Sequence, residues 1–224
     1  NYKLNNEDKK TKILNANLCS LEINGYSNGD LLIENSKIDN IYLQNFSSKN
    51  GCNFYNIQPL RQESERKFQI TRCNMKNFWF DNVLFNQYKL ISFYRNKFDD
   101  TIFTSCEFPS DYKDFEKFVT VENIHYPNKK DNSYDSLRYE TFLQLKKCVE
   151  NSGNFFESLK FQSIANESLL KIKGIPYWDR IILYFNKFSN NHGTSIINPL
   201  LLIFGFSITF YVLYLNSLNL IFNK

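Results

Sequence analysis

Residues 70–90 read ITRCNMKNFWFDNVLFNQYKL, and every fifth residue from Ile70 to Leu90 is large and apolar. The same step of five occurs in a run from Ile13 and in another from Phe98. Together these runs have apolar residues at 14 of 15 positions, in a chain of 224 residues that is 42% hydrophobic. A short fixed period of this kind predicts a repeat architecture. The residues that we expect in the repeat core are Leu18, Ile23, Ile33, Ile38, Leu43, Met75, Phe80, Phe85, Leu90, Phe98, Phe103 and Phe108.

A second recurring position lies two residues before each large one, as at Ile41, Phe68 and Cys73. Residues two apart on an extended chain point to the same side. Each unit of five therefore makes a short extended step with two inward side chains, followed by a corner. Four such steps close a square coil of about 20 residues, and stacked coils hydrogen-bond at the ~4.8 Å spacing of strands.

An ordinary antiparallel sheet is the alternative, because its alternation also places Phe78 and Phe80 on one side. Alternation by two does not explain why the large residue returns at every fifth position. The period therefore favours a β-solenoid over the sheet.

Three triplets, Ala16-Asn17-Leu18, Cys73-Asn74-Met75 and Cys106-Glu107-Phe108, resemble the A-[DN]-L-x-x unit of the pentapeptide-repeat family. The resemblance covers residues 13–108 and implies a right-handed quadrilateral β-helix over a domain of residues 1–110. The chain departs from the family pattern where the small position holds Leu, Ile, Phe or Tyr. This departure implies wider or distorted coils.

Two stretches lack the repeat. Residues 49–69 contain Gly51, Pro59 and a charged run, which predicts a solvated loop that leaves the coil. The alternative interpretation is that this loop projects from the coil and binds a partner. Residues 111–133 are predicted to be a polar connector.

From Tyr134 onward the apolar period becomes helical, and we expect a helical hairpin over residues 134–174 with a turn at Gly153. An uncapped solenoid end exposes apolar layers, so the hairpin can bury its apolar stripes and cap that end. The stretch Tyr139-Glu140-Thr141-Phe142 resembles a hairpin of bacterial membrane-bound pentapeptide-repeat proteins. The resemblance as a whole therefore points to a bacterial membrane-associated pentapeptide-repeat protein.

Two further helices are predicted near the C-terminus. Residues 176–191 have the pattern of an amphipathic interfacial helix. Residues 196–215 carry no charged side chain and, at about 1.5 Å per residue, can cross a hydrocarbon layer of ~30 Å as a transmembrane helix. A buried helix of a soluble protein is the alternative. The side chains expected at the membrane interface are Trp178, Arg180, Lys187, Tyr211 and Tyr214.

Basic residues near the predicted span indicate its orientation. Lys171, Lys173, Arg180 and Lys187 precede the span, whereas only Lys224 follows it. The positive-inside rule then places the repeat region in the cytoplasm, at the inner membrane of the cell. Further membrane segments beyond Lys224 remain an open alternative.

Charge argues against nucleic acid as a partner. The net charge is +4, and residues 1–110 carry 14 Lys and Arg against 12 Asp and Glu, so no strongly basic surface is expected. The same balance is unlike the acidic face of DNA-mimicking pentapeptide-repeat proteins. The five cysteines are widely spaced without a C-x-x-C pair, which favours reduced, mostly buried thiols over a disulfide framework.

We predict no catalytic, cofactor-binding or metal site. The two histidines, His125 and His192, stand apart from any nucleophile motif and are compatible with surface positions. Glu140, Glu157 and Glu167 lie among lysines at helical spacing and suit solvated helix faces. The sequence therefore favours a non-enzymatic, membrane-anchored scaffold that binds membrane lipid and an unidentified protein partner. The alternative is a regulatory or pore-associated subunit of a channel or transporter, although one uncharged span provides no ion path by itself.

Overall fold

The structure of the protein, a computed structural model, describes residues 10–61, 65–109, 116–125 and 133–218. Parts of the predicted connector (residues 111–115 and 126–132) lie outside the described residues, as does Lys224. The chain divides into two compact units, one ending at Leu169 and the other beginning at Leu170. The strands are β1 (Thr11–Leu14), β2 (Asn17–Ser27), β3 (Leu31–Ser48), β4 (Cys52–Gln58), β5 (Lys67–Thr71), β6 (Phe78–Val83), β7 (Leu90–Tyr94), β8 (Ile102–Thr104) and β9 (Phe118–Val119). The helices are α1 (Tyr134–Asn151), α2 (Phe155–Lys171), α3 (Tyr177–Asn190) and α4 (Ile197–Ser217).

The strands stack in parallel, each one hydrogen-bonded to the strand that lies one coil further along the chain. The pairing order is β8-β6-β4-β3-β5-β7-β9, and β1 and β2 also pair with β3. Successive partners along one side are Thr11 with Leu31, Leu31 with Cys52, Cys52 with Phe78, and Trp79 with Ile102. Their residue numbers differ by 20, 21, 26 and 23, so the coils lengthen after the second one. The predicted β-solenoid is therefore confirmed, with about four turns, and the antiparallel sheet is excluded.

Inward side chains from successive coils lie directly over one another. The rings of Phe54 and Phe80 stack with centroids 5.0 Å apart, and those of Phe80 and Phe103 do the same. A second aromatic column pairs Phe85 with Phe108 at 5.2 Å. Parallel register places equivalent positions of each coil above one another, so the period of five becomes a continuous column of buried rings.

Asparagine side chains line one corner of the coils. Asn35, Asn56 and Asn82 have φ between 49° and 53°, a left-handed conformation that Asn tolerates better than most residues. Nδ2 of Asn56 donates to Oδ1 of Asn35, and Nδ2 of Asn82 donates to Oδ1 of Asn56, both at 2.6 Å. This asparagine ladder gives a structural role to some of the polar residues between the apolar positions of the repeat.

Residues 49–69 are only partly a loop, so the sequence prediction was wrong for the two strand segments within this stretch. Cys52–Gln58 forms β4, whose Phe54 and Ile57 are fully buried, and β5 begins at Lys67. The phase of the repeat shifts by one residue before this stretch, because Asn45 is an extra residue of β3: Asn24 pairs with Gln44, and Gly25 pairs with Phe46. Gly51 has φ 104°, and a Cβ there would lie 2.3 Å from the Asn77 carbonyl oxygen, so only glycine fits.

Leu90 is half-buried and lies outside the core cluster, contrary to its predicted core position. Its neighbours Ile91 and Phe93 occupy the interior instead. The three-residue shift comes before Leu90, at a 3-10 turn of Phe85–Gln87, after which the buried Tyr88 hydroxyl donates to the Ile38 carbonyl at 3.0 Å.

The other predicted core residues line the solenoid interior. Leu18 and Ile23 of the first coil are half-buried and pack against the core. Those that are buried are Ile33, Ile38, Leu43, Met75, Phe80, Phe85, Phe98, Phe103 and Phe108.

Helices α1 and α2 cover the last coil of the solenoid. Phe142 and Leu145 of α1 and Phe161 of α2 are buried in the same core cluster as the strands. The Cys148 thiol lies 3.6 Å from the carbonyl of Phe98 in the preceding coil. The hairpin therefore supplies the apolar cap that a stacked repeat requires.

Candidate functional surfaces

The segment after the last coil first adds a further parallel strand, β9, to the stack and then runs over the outer face of β7 and β5. Phe118–Val119 pairs with β7, and Val121 and Ile124 beyond it are buried. Oγ of Ser92 donates to the Val121 carbonyl at 2.9 Å. We call residues 118–125 the strap. The prediction of a polar connector is wrong for this segment, although the alternation in Phe118-Val119-Thr120-Val121 was a visible strand signal.

The strap is held by polar contacts with the strands beneath it. Nε2 of Gln69 donates to the Glu122 carbonyl at 2.7 Å, and Arg72 forms an ion pair with Glu122 at 2.6 Å. Nζ of the buried Lys67 donates to Nδ1 of His125 at 3.0 Å. These contacts close the outer face of β5 and β7 with the chain's own residues.

Charged groups around the strap influence one another. The hydrogen bond from Lys67 lowers the pKa of Glu65 below its usual value. Burial raises the pKa of Tyr42, and the carboxylates of Glu22 and Glu65 raise it further. Because the polar groups of this face bind one another, we interpret the strap as part of the fold and not as a site for a partner.

The opposite outer face carries large apolar side chains that are exposed. It consists of outward residues from five stacked strand segments, and we call it the Trp79 face. Trp79 itself is 43% exposed, and Leu14, Tyr55 and Ile102 are similarly accessible. Its members are Lys12, Leu14, Leu32, Glu34, Asn53, Tyr55, Trp79, Asp81, Ile102 and Thr104.

Hydrogen bonds fix the position of the Trp79 side chain. Its Nε1 donates to Oγ1 of Thr104 at 2.7 Å, and the Thr104 hydroxyl donates to Oδ1 of Asp81 at 2.6 Å. Trp79 and Thr104 lie on strands one coil apart, whereas Asp81 shares a strand with Trp79. An exposed aromatic held in place loses little side-chain entropy on contact with a partner, and Trp and Tyr are enriched in the centres of protein interfaces.

All five cysteines are free. Cys52, Cys73 and Cys148 are buried, Cys106 is half-buried and Cys19 is exposed. Burial raises the pKa of Cys73 and of Cys148 to about 11, and that of Cys106 to about 12. These thiols therefore pack as small apolar side chains.

The second unit contains one helix that is long and apolar enough to span a membrane. Helix α4 has 21 residues, a mean hydropathy of 1.8 and no buried residue in its most apolar window. At about 1.5 Å per residue its length is about 31 Å. Tyr211 and Tyr214 are exposed near its C-terminal end.

Helix α3 is amphipathic and has no buried residue. Trp178 is 72% exposed, and Ile182 and Phe185 extend the same apolar face. Arg180 and Lys187 are two helical turns apart and therefore lie on one side of the helix, away from this face. The predicted interface residues of α3 are thus divided between two sides of one helix.

The residues considered for catalysis have other structural roles. His125 is exposed and belongs to the strap, whereas His192 is buried and lies in the turn between α3 and α4. Glu157 forms an ion pair with Lys160 at 2.9 Å on α2, and both side chains are mostly buried. Within the described ranges, no group of three or more His, Cys, Asp or Glu side chains could hold a metal ion.

No family model matches the chain, and neither a curated protein nor a solved structure is significantly similar to it. The class that the fold defines is a parallel β-solenoid with a helical cap, followed by an apolar helix of membrane-spanning length.

Proposed function

We propose that this protein is a non-enzymatic, membrane-anchored scaffold whose solenoid binds a protein partner through the Trp79 face. The observation that carries the proposal is the contrast between two outer faces of the solenoid. The strap covers one of them, whereas the other exposes Leu14, Tyr55, Trp79 and Ile102 on a rigid stack of strands. Exposed apolar patches rimmed by polar residues are typical of interaction sites.

Membrane attachment is the second part of the proposal. Helix α4 supports it, because its apolar side chains are exposed on all sides within its unit. Lys171, Lys173 and Arg180 precede the span and favour a cytoplasmic N-terminal side at the inner membrane. Burial of α4 in lipid would remove this surface from water.

We further propose that the solenoid is a right-handed, four-sided coil of the pentapeptide-repeat type from a bacterial protein. The first two coils advance by 20 and 21 residues, close to four steps of five. The later coils are longer because residues are inserted at their corners, as the departures from the repeat pattern suggest.

Photo-crosslinking in cells tests the scaffold proposal. A photoreactive phenylalanine analogue replaces Trp79 in one variant and Ile102 in another, and a third variant carries it at Tyr26, which is exposed outside the Trp79 face. We expect the same crosslinked protein from positions 79 and 102, and none from position 26. Absence of a crosslink from all three, together with ion flux in proteoliposomes, would overturn the scaffold in favour of a pore-associated subunit.

A further inference from the structure

The segment before α4 is strongly biased in charge. Between Leu170 and Leu218 the basic side chains are Lys171, Lys173, Arg180 and Lys187, and Asp179 is the only acidic one. All these charges precede α4. An excess of positive charge beside an apolar helix is the pattern found on the cytoplasmic side of membrane-spanning helices.

The apolar side of α3 has no cover within the described residues of its unit. Trp178, Ile182 and Phe185 lie on one face, and each is exposed. The helix contains no buried residue. An amphipathic helix with aromatic residues on one side and Lys or Arg on the other has the composition of helices that lie in the headgroup region of a bilayer.

A defined turn joins α3 to α4. Asn191, His192 and Gly193 have φ of 49°, 56° and 90°, so three successive residues have a left-handed backbone conformation. Oδ1 of Asn190 accepts from the Gly193 amide at 3.0 Å, and Oγ of Ser195 accepts from the Asn198 amide at 3.2 Å. The first hydrogen bond closes the turn, and the second caps the first turn of α4.

The turn limits how far α3 can lie from the end of the span. Five residues lie between Asn190 and Ile196, and the six residue-to-residue steps that join them extend at most about 20 Å. If α4 crosses a bilayer, the C-terminal end of α3 is held close to the headgroups. The basic side chains of the segment are then within reach of lipid phosphates.

We infer that the α3 segment is a binding surface for anionic phospholipid headgroups, with Trp178 and Phe185 inserted at the interface and Arg180, Lys187, Lys171 and Lys173 contacting the negative charges. This inference rests on the proposed membrane anchor. Basic residues close to an anionic bilayer each contribute about fivefold to binding. The partner is a negatively charged lipid surface.

The two tryptophans of the chain allow a direct test, because Trp79→Phe leaves Trp178 as the only one. The full-length W79F protein is reconstituted into neutral phosphatidylcholine vesicles and into vesicles with about one third phosphatidylglycerol, each containing lipids brominated at a shallow or a deep position. We expect shallow quenching of Trp178 that is at least twofold stronger in the anionic vesicles. This difference should disappear near 1 M salt, where the Debye length is about 3 Å.

Two charge variants in the W79F background separate the headgroup contact from general electrostatics. Arg180→Gln with Lys187→Gln should abolish the difference between neutral and anionic vesicles. Lys49→Gln with Lys76→Gln removes the same charge from exposed positions of the solenoid and should leave the difference intact. Equal effects of both variants would overturn the inference.

Flotation after carbonate extraction keeps the two proposals apart. Protein that no longer floats with the vesicles overturns the anchor and, with it, the lipid site. Protein that floats while Trp178 is unquenched, or is quenched equally in both kinds of vesicle, overturns only the lipid site. Shielding of Trp178 from both bromolipid and aqueous iodide would show that a protein or a second copy covers α3 instead.

Discussion

The ring of Phe108 lies edge-on against the ring of Phe161, with ring centroids 5.0 Å apart and ring planes at 85°. Phe108 is the last member of an aromatic column in the repeat, and Phe161 belongs to the second helix of the cap. The contact marks the point at which ring-on-ring stacking between coils gives way to helix packing. The cap therefore continues the core of the solenoid.

Replacement of Phe161 by alanine should destabilise the first unit. Its ring is fully buried and also contacts Phe142 at 5.8 Å, so the substitution leaves a cavity and should cost about 3–5 kcal/mol in the free energy of unfolding. Denaturant unfolding of the detergent-solubilised protein measures this loss. Phe155→Ala is the matched control, because Phe155 lies on the same helix with 65% exposure. A similar loss in both variants would contradict the capping role.

The adjacent residues Trp79 and Phe80 should respond differently to alanine. Phe80 is sandwiched between the rings of Phe54 and Phe103, so Phe80→Ala should cost about 3–5 kcal/mol. Trp79 faces outward, so Trp79→Ala should cost less than about 1 kcal/mol in the free energy of unfolding. The same substitution should remove the partner crosslinks expected from the photoreactive residue at position 102. Comparison of both unfolding free energies tests the inward and outward alternation of β6. If the two alanine variants lost equal amounts of stability, the assignment of Phe80 to the interior and of Trp79 to the outer face would be wrong.

The asparagine ladder predicts a difference between two small substitutions at Asn56. Asn56→Ala removes two side-chain hydrogen bonds and retains a Cβ at φ 53°, so we expect a loss of about 2 kcal/mol. Asn56→Gly removes the same bonds but relieves the left-handed strain, and it should cost about 1 kcal/mol less than the alanine variant. Thermal unfolding of the two variants side by side measures the difference. An alanine variant as stable as the glycine variant would show that the corner is not left-handed.

The repeat period was enough to predict the solenoid, because large residues five apart meet in columns whenever coils of similar length stack. The period could not locate β4 or the core register at Ile91, since the extra residue Asn45 and the turn after Phe85 each shift the phase of the repeat. These insertions shift the phase of the repeat, and the turn after Phe85 also adds the buried Tyr88 to the interior. The sequence pattern also could not show which outer face of the solenoid the strap covers and which one stays exposed as the Trp79 face. This depends on contacts between residues that are far apart in the sequence.

The raised thiol pKa values predict selective alkylation. At pH 8 a thiol whose pKa is about 11 has only about 0.1% thiolate, so Cys73, Cys106 and Cys148 should react slowly in the folded protein. Cys19 is exposed and should be labelled first. Mass spectrometry after brief treatment with iodoacetamide should find one modified cysteine, and Cys19→Ser should eliminate it. Rapid labelling of Cys73 in the native protein would show that the solenoid interior is open.

A single charge in the middle of α4 should prevent stable membrane association. Ile208 lies near the centre of this helix, and arginine at a helix centre costs about 3 kcal/mol for insertion, or roughly a hundredfold in the insertion equilibrium. We therefore expect Ile208→Arg to shift the protein from the carbonate-resistant membrane fraction to the soluble or aggregated fraction. Leu14→Arg introduces the same charge at a position of similar exposure on the solenoid and should remain in the membrane fraction. If Ile208→Arg stays membrane-bound like this control, α4 does not span the bilayer, and the exposed apolar surface of the second unit must be covered by protein.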